Sequence, residues 1–271
     1  MYKPRMIATD VDGTLLAPDE LLTERTRKAL HGAVDDGVPV VLVSGRPPRW
    51  LAPVAEQAGL TGYAVCSNGA VLYDVGADEV LRIRGLESET LHRAAEALAT
   101  ALPGCRFGAE RVGGSAYDEA TVRFLSERGY HNPWGDVDEM VAPRTEVLAD
   151  PAVKLLVSDP NRTSDAMAAA ARAVLDSDVD VTFSTGGGLI EIAHHSATKA
   201  TGLAEISERL GIAAEDVVAF GDMPNDIEML RWAGHGVAVA NAHPSVHDTA
   251  DDTTAPNSEE GVAQTLERWF H

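Results

Sequence analysis

The chain has 271 residues, of which 45% are hydrophobic, and a usual domain size of roughly 150 residues makes two globular domains the expectation. Asp and Glu number 42 against 22 Lys and Arg, and the resulting formal net charge of -20 would repel a phosphate backbone. This balance excludes a nucleic-acid polymer as the expected partner, whereas a small anion can still bind where a metal ion supplies positive charge.

Strands and helices alternate in the first part of the chain. Short apolar runs at 6–8, 38–43 and 63–66 predict strands that are buried on both faces, because they lack the alternation of a half-exposed strand. A helix is predicted over 23–36, with a threonine cap, and a second helix over 48–58. This succession predicts βαβ units of a parallel sheet.

A different pattern occupies the middle of the chain. Apolar runs at 71–73 and 80–83 flank a turn-rich piece and predict a β-hairpin. Beyond residue 86 the sequence predicts a separate α+β module, with helix 88–102, strand 106–112, helix 118–128, strand 153–157, helix 163–175 and strand 179–183. Three glycines at 186–188 indicate a turn, since a strand-like run follows them at 189–192.

The first pattern returns towards the C-terminus. It predicts helix 199–210, strand 217–220, helix 226–232, strand 237–239 and a last helix up to Phe270, for which Asn257 and Glu260 would form a capping box. The expected fold class is therefore α/β. A doubly wound, mostly parallel Rossmann-like sheet core, formed by residues 1–84 and 189–271, is interrupted by an inserted α+β domain at 85–188.

Four polar loops follow predicted parallel strands, at 10–14, 44–46, 67–69 and 221–226. In an open α/β sheet, ligands bind outside the carboxyl ends of the strands, so these loops are expected to converge on one site. Asp10 and Asp12 project to the same side of an extended segment. Alone, this pair would also suit a solvated Asp-rich turn or a calcium-binding loop.

Oxygen ligands for a hard cation are present in two of these loops. Mg²⁺ takes one or two carboxylates together with other oxygen atoms, which the carboxylates of Asp10 and Asp222 and the backbone carbonyl of Asp12 could supply. Asn225 and Asp226 would lie close enough to orient Asp222 or a metal-bound water. Phosphoryl transfer needs such a cation, a nucleophile and a proton donor, and the loops hold candidates for each.

Phosphate binding has its own candidates. Ser44 offers a hydroxyl and Gly45 an exposed backbone N–H, while Lys199 begins a predicted helix from which its ammonium could reach the pocket. Taken alone, a lysine at the start of a helix is more often a surface charge, and a Ser-Gly pair is more often an ordinary turn. Arg46 could contact substrate or form a structural salt bridge. Asn68 and Asn225 are further candidates for substrate contact.

Four segments taken together resemble a known family. The sequence DVDGTL at 10–15, Ser44-Gly45-Arg46, Lys199 and the GDMPND segment at 221–226 are similar, in this order, to the four motifs of the haloacid dehalogenase-like hydrolases, and most similar to the Cof-type phosphatases. The loop at 67–70 and the position of the insertion fit the same group. Ala200 departs from the pattern, because relatives often carry glycine after the motif lysine.

The resemblance implies a mechanism and a substrate class. Asp10 would be the nucleophile that forms an aspartyl-phosphate, and Asp12 would protonate the leaving alkoxide and then activate water. Mg²⁺ and Lys199 would neutralise charge, and the insertion would be a cap that selects the leaving group of a small phosphorylated metabolite. Cap residues that could line the site are Tyr117, Asp118, Glu119, Arg123, His131 and Trp134.

Two other functions remain open at this stage: a sugar phosphomutase, and a non-enzymatic receiver that keeps a phospho-aspartate as a switch. A leaving-group cap and a general acid both argue against the receiver.

Cys66 and Cys105 are too few for a disulfide framework, and no apolar stretch approaches the ~20 residues of a membrane span. We therefore expect a cytoplasmic enzyme without a membrane partner, whose oligomeric state the sequence does not indicate.

Overall fold

The chain forms two units in the computed structural model, which describes residues 3–133, 135 and 139–270. The strands are β1 Met6–Thr9, β2 Val40–Val43, β3 Tyr63–Cys66, β4 Val71–Asp74, β5 Glu79–Ile83, β6 Arg106–Glu110, β7 Phe124–Ser126, β8 Glu139–Val141, β9 Lys154–Ser158, β10 Val179–Thr182, β11 Leu189–His194, β12 Val217–Gly221, β13 His235–Val239 and β14 Asp252–Thr254. The helices are α1 Glu24–Asp35, α2 Pro48–Ala58, α3 Ser88–Ala101, α4 Arg144–Val147, α5 Ser164–Arg172, α6 Lys199–Leu210, α7 Ile227–Trp232, α8 Pro244–His247 and α9 Gly261–Leu266.

An eight-stranded sheet forms the first unit, with the strand order β14-β13-β12-β1-β2-β3-β4-β5. The strands from β14 to β3 are parallel, and β4 pairs antiparallel with β3. Every residue of β1, β2 and β12 is buried, as the continuous apolar runs predict. The predicted α/β class with a mostly parallel core is confirmed.

The order of the parallel strands reverses at β1. The chain runs from β1 to β2 and β3 on one side, and returns to place β12 and β13 on the other. A crevice opens outside the carboxyl ends of the strands at such a switch point. Residues that directly follow β1 and β12 are therefore brought side by side, although they are far apart in sequence.

Local signals explain where the helices of this unit begin and end. The side chain of Thr23 accepts a hydrogen bond from the backbone N–H of Thr26 and so caps α1, as predicted. Helix α2 begins with Pro48 and ends at Ala58, and the next residue, Gly59, adopts the left-handed conformation that terminates it. These boundaries agree with the predicted helices over 23–36 and 48–58.

The second unit spans Ile83–Ala197 and contains a six-stranded sheet of order β10-β11-β9-β6-β7-β8. Strand β11 pairs antiparallel with both β9 and β10, so it belongs to this unit. The predicted boundary between residues 188 and 189 therefore needs correcting, because the first unit resumes only at Thr198. The apolar run at 189–192 is a strand as predicted, but of the other sheet.

The predicted helix over 118–128 is wrong. The Asp118 carboxylate accepts backbone N–H groups of Gly114 and Ala120, which stabilises a turn. Phe124–Ser126 then pairs antiparallel with β6, and the Phe124 ring is buried against Leu156 and Leu189. Packing against a neighbouring strand thus overrides the local helical pattern.

The predicted capping box of the last helix is also wrong. Residues 257–259 form a short 3₁₀ turn, and the Asn257 carboxamide donates to the carbonyl of Leu16 instead of capping. Glu260 takes a positive φ of 61° and its carboxylate accepts from the hydroxyl of Thr23.

Among the helices of the described residues, none has the length and apolar character needed to cross a lipid bilayer.

Candidate active site

Asp10 lies immediately after β1, and only 4% of the residue is exposed. Its backbone N–H donates to the carbonyl of Phe220 on β12 at 2.9 Å, which extends the pairing of the two strands to their ends. Its Oδ1 accepts a hydrogen bond from the Nζ of Lys199 at 2.5 Å. The sheet therefore fixes the backbone of Asp10, and the lysine fixes its carboxylate.

Lys199 is the first residue of α6 and is almost completely buried. Thr198 and Thr201 form a capping box that fixes the start of this helix. The Nζ donates to Asp226 Oδ1 at 2.7 Å as well as to Asp10. Burial alone would lower the pKa of Lys199, but the two carboxylates outweigh burial and raise it above its ordinary value.

Asp226 is the second carboxylate on this lysine and is completely buried. Its Oδ2 accepts backbone N–H groups from Asp222 and Met223 at 3.1 and 3.0 Å, so both oxygens are engaged. The sequence predicts that Asp226 orients Asp222 or a metal-bound water, and the structure places its carboxylate on the backbone N–H of Asp222. The contact with Lys199 is an additional role that sequence reasoning missed.

Asp222 follows β12 and faces the loop after β1. The hydroxyl of Thr14 donates to its Oδ1 at 3.2 Å. Gly13 has a φ of +77°, and a Cβ at this position would lie 2.2 Å from Asp222 Oδ2. Glycine is therefore required at position 13 both by the backbone conformation and by the close approach of the carboxylate.

The three acids Asp10, Asp222 and Asp226 each offer an oxygen within 4.8 Å of the others. Burial raises the pKa of Asp10 well above its ordinary value; Lys199 opposes this, and Asp226 and Asp222 add to it. Burial and the charge of Asp226 raise the pKa of Asp222 to about 7. One buried ammonium does not balance this negative charge, so oxygen-rich geometry and charge both fit a divalent cation such as Mg²⁺.

The Asp12 carboxylate lies outside this cluster of acids, and 48% of its side chain is exposed. Arg46 holds it through a fork, with Nε 2.9 Å from Oδ2 and Nη2 2.5 Å from Oδ1. Of the two roles that the sequence leaves open for Arg46, the structure shows the salt bridge. This pair determines where the predicted proton donor points.

The remaining predicted phosphate and substrate residues lie at the same edge of the sheet. Ser44 is buried directly after β2, and its hydroxyl accepts the backbone N–H of Arg46 at 3.0 Å, with the partly buried Gly45 between them. Asn225 donates from Nδ2 to Asn68 Oδ1 at 3.0 Å, so the structure brings these two candidates together.

The loop that contains Asn68 has an unusual backbone. Ser67, Asn68 and Gly69 all have positive φ values, of 51°, 55° and 93°. A Cβ at Gly69 would lie 1.9 Å from the carbonyl oxygen of Thr198, the residue before the buried lysine. The strained loop thus packs against the start of α6.

The predicted cap residues belong to the second unit. Tyr117 is 55% exposed, and Arg123 donates to the carbonyl of Asp118. The backbone N–H of His131 donates to the hydroxyl of Ser158. Glu119 is exposed. Trp134 lies outside the described residues, and roles for this group in substrate selection stay predictions.

Sequence reasoning missed one loop at this edge of the sheet, residues 240–243 after β13. The backbone N–H of His243 donates to the carbonyl of Asp222 at 2.7 Å, and the Asn241 side chain donates to the carbonyl of Gly13 at 2.8 Å. The signal was available, because 237–239 is a predicted parallel strand and its carboxyl end belongs at the same edge.

Comparison with known proteins gives a match over almost the whole chain. Residues 7–266 match the family model described as haloacid dehalogenase-like hydrolase. A curated Bacillus subtilis relative, named 5-amino-6-(5-phospho-D-ribitylamino)uracil phosphatase YitU, is 31% identical and covers 99% of this chain and 98% of its own. A phosphoglycolate phosphatase from Methanothermobacter thermautotrophicus is also 31% identical, over 98% of this chain and 99% of its own.

A solved structure gives the same result for the fold. A haloacid dehalogenase-like hydrolase from B. subtilis superposes with a TM-score of 0.81 at 22% identity, covering 98% of this chain and all of the other. At this identity the likeness supports the architecture alone. The match covers almost all of this chain, so it includes both units.

Proposed function

We propose that this chain, which belongs to the haloacid dehalogenase-like hydrolases, hydrolyses small phosphate monoesters with Asp10 as the nucleophile. The enzyme class is that of a phosphatase, the activity named for the curated relatives that match over nearly their whole length. The observation that supports the site most directly is the contact of Lys199 Nζ with both Asp10 and Asp226 inside a buried cluster of acids.

We propose that Mg²⁺ is the cofactor. The residues that would hold it are the carboxylates of Asp10 and Asp222, together with the backbone carbonyl of Asp12. The hydroxyl of Thr14 already donates to Asp222 and so orients its carboxylate. When bound, the cation supplies positive charge that lets an anionic phosphate approach these acids.

Asp10 is proposed to attack the phosphorus atom. The bond from phosphorus to the ester oxygen breaks as a bond to an Asp10 oxygen forms, and water later cleaves this acyl phosphate to regenerate the carboxylate. The Lys199 ammonium, which donates to Asp10, would attract the incoming phosphate and hold the Asp10 carboxylate in one orientation. The Ser44 hydroxyl and the backbone N–H of Gly45 are candidates for binding the phosphoryl oxygens.

Asp12 is proposed to move the protons of the reaction. It would give a proton to the leaving alkoxide and take one from the attacking water in the second step. Its exposed carboxylate is held by Arg46, so Arg46 would have to share or release it as the leaving group enters. Because the Asp12 side chain is half exposed, a leaving group can reach it, whereas Asp10 is buried.

The proposed substrate class is a small phosphorylated metabolite, such as a sugar phosphate, nucleotide or cofactor phosphate. Both curated relatives are named for small phosphorylated organic molecules, and they differ in the organic part. The sequence-based expectation that the inserted unit selects the leaving group is retained as part of this proposal. A formal net charge of -20 makes a polymeric anion a poor substrate.

A phosphate-release screen tests this function. Wild-type protein is assayed against sugar phosphates, nucleotides and cofactor phosphates, with Mg²⁺ and with a chelator. Release from at least one ester only in the presence of Mg²⁺ supports the proposal. Absence of release from every ester would refute hydrolysis, whereas an isomerised sugar phosphate without free phosphate would assign a phosphomutase.

A further inference from the structure

The loop of residues 240–243 contacts both loops that carry the proposed metal-binding acids. On one side, Asn241 Nδ2 donates to the Gly13 carbonyl at 2.8 Å. On the other, the backbone N–H of His243 donates to the Asp222 carbonyl at 2.7 Å. Four residues of chain therefore link the segment after β1 to the segment after β12.

The orientation of the Asn241 carboxamide is set by its two partners. Nδ2 faces a carbonyl oxygen, which can only accept, and Oδ1 accepts the backbone N–H of Asn257 at 2.9 Å, which can only donate. Rotating the amide by half a turn would place two acceptors together and two donors together. Both the nitrogen and the oxygen of the Asn241 carboxamide are thus hydrogen-bonded, and only one orientation of the amide allows this.

The Gly13 carbonyl is a sensitive point of the site. It belongs to the peptide that joins Gly13 to Thr14, and the Thr14 hydroxyl donates to Asp222. A Cβ at position 13 would overlap the Asp222 carboxylate, so the backbone of Gly13 lies close against this acid. Rotation of this peptide would move the Thr14 hydroxyl relative to Asp222 and change the backbone that carries Asp12.

We propose that Asn241 is a positioning residue for the phosphatase site: by holding the Gly13 carbonyl, it fixes the geometry of Asp12 and Thr14 relative to Asp222. This inference rests on the proposed function. Asn241 itself is exposed, and its two side-chain hydrogen bonds are to the backbone of Gly13 and Asn257, so it acts through the backbone. An exposed side chain with two backbone partners contributes little to burial, so its loss should affect the site more than the fold.

Asn257 provides a matched control. Its side chain makes a similar contact, from Nδ2 to the carbonyl of Leu16 at 2.8 Å, three residues beyond Gly13. Asn257→Ala removes that bond but keeps the backbone N–H that supports Asn241. Each variant thus removes one asparagine side chain that donates to the segment after β1, and only Asn241→Ala frees the Gly13 carbonyl.

The experiment compares wild type, Asn241→Ala and Asn257→Ala in three measurements: Mg²⁺ binding by calorimetry, kcat and KM for phosphate release, and the thermal midpoint. For Asn241→Ala we expect Mg²⁺ binding weaker by about fivefold to tenfold, the worth of one hydrogen bond, and a lower kcat with little change in KM. Asn257→Ala should stay close to wild type in Mg²⁺ affinity and kcat. Both thermal midpoints should lie within a few degrees of wild type.

Equal Mg²⁺ affinity and kcat in Asn241→Ala and wild type would overturn the inference, and so would equal losses in both variants. Asn241→Ser, whose hydroxyl is too short to reach the Gly13 oxygen, is the second variant should the alanine protein fail to fold. If wild type releases no phosphate from any ester, the proposed function fails. The Mg²⁺ affinities then still decide whether Asn241 sets the geometry of the acids.

Discussion

The Nζ of Lys199 lies 2.5 Å from Oδ1 of Asp10, although 189 positions separate the two residues in the chain. The contact forms because β1 ends beside β12 at the switch point of the sheet, and α6 begins with its lysine pointing into the same crevice. A buried acid is thereby paired with a buried base, which keeps the carboxylate in one place. Several consequences of this arrangement can be measured.

Asp10→Asn tests the covalent mechanism. The amide has nearly the shape of the carboxylate but is not a nucleophile, so phosphate release should fall by more than about 1,000-fold. The thermal midpoint should stay equal or rise, because the variant removes one of three crowded buried acids. Appreciable turnover in the purified variant would refute Asp10 as the nucleophile.

Lys199→Met tests the electrostatic role of the ammonium. In metal-free protein the change leaves two buried carboxylates without their cation, which should lower the free energy of unfolding by about 3 to 5 kcal/mol, measured by urea denaturation. Asp226→Asn added to the same protein should restore part of this loss. Lys28→Met is the control, because the Lys28 side chain is 73% exposed and its loss should cost less than about 0.5 kcal/mol.

The stability of metal-free protein should fall as the pH rises through about 7. The pKa of Asp222 is raised in the folded protein, by burial and by Asp226, from 3.8 to about 7, so the folded state binds a proton more readily than the unfolded chain. The stabilisation from this proton is complete below pH of about 4 and is lost as the pH passes through about 7. Thermal midpoints between pH 5 and pH 8, with a chelator present, measure the effect.

Two controls isolate the contribution of Asp222 from that of the overall negative charge. Asp222→Asn should flatten the pH dependence, while saturating Mg²⁺ should remove it in wild type, since the cation favours the ionised acids. A pH profile of metal-free wild type that matches that of Asp222→Asn would contradict the raised pKa.

The sequence predicted the parts of the fold in which local pattern and tertiary packing agree. Strands β1, β2 and β12 are continuous apolar runs buried on both faces, and their polar successors could be placed at one edge from topology alone. The meeting of Asp10 with Asp222 was therefore predictable. Helix 118–128 was not correctly predicted, because pairing of Phe124–Ser126 with β6 decides its structure.

Hydrogen bonds from asparagine side chains to distant backbone carbonyls could not be predicted from the sequence. Asn241 is a single exposed polar residue with no periodic pattern around it, and its partner is a carbonyl 228 positions away. The side chain of Asn257, predicted as a helix cap, makes a long-range contact of the same kind. Such bonds depend on the exact distance between two loops, which only the folded sheet determines.

Gly69→Ala tests whether the strained loop after β3 positions the buried lysine, with Gly104→Ala as its matched control. Both glycines have a φ of +93°, so alanine meets backbone strain at either position. A Cβ at Gly104 meets nothing within 4 Å, whereas a Cβ at Gly69 would lie 1.9 Å from the Thr198 carbonyl oxygen. Only Gly69→Ala would therefore force the start of α6, and Lys199 with it, to shift.

We expect Gly104→Ala to lower the free energy of unfolding by about 1 to 2 kcal/mol and to leave phosphate release close to wild type. Gly69→Ala should cost about 1 to 3 kcal/mol more, because of the overlap, and should lower kcat by more than about tenfold. Urea denaturation and the phosphate-release assay measure the two effects on the same preparations. Equal stability and equal kcat in the two variants would show that α6 does not depend on the close approach of Gly69.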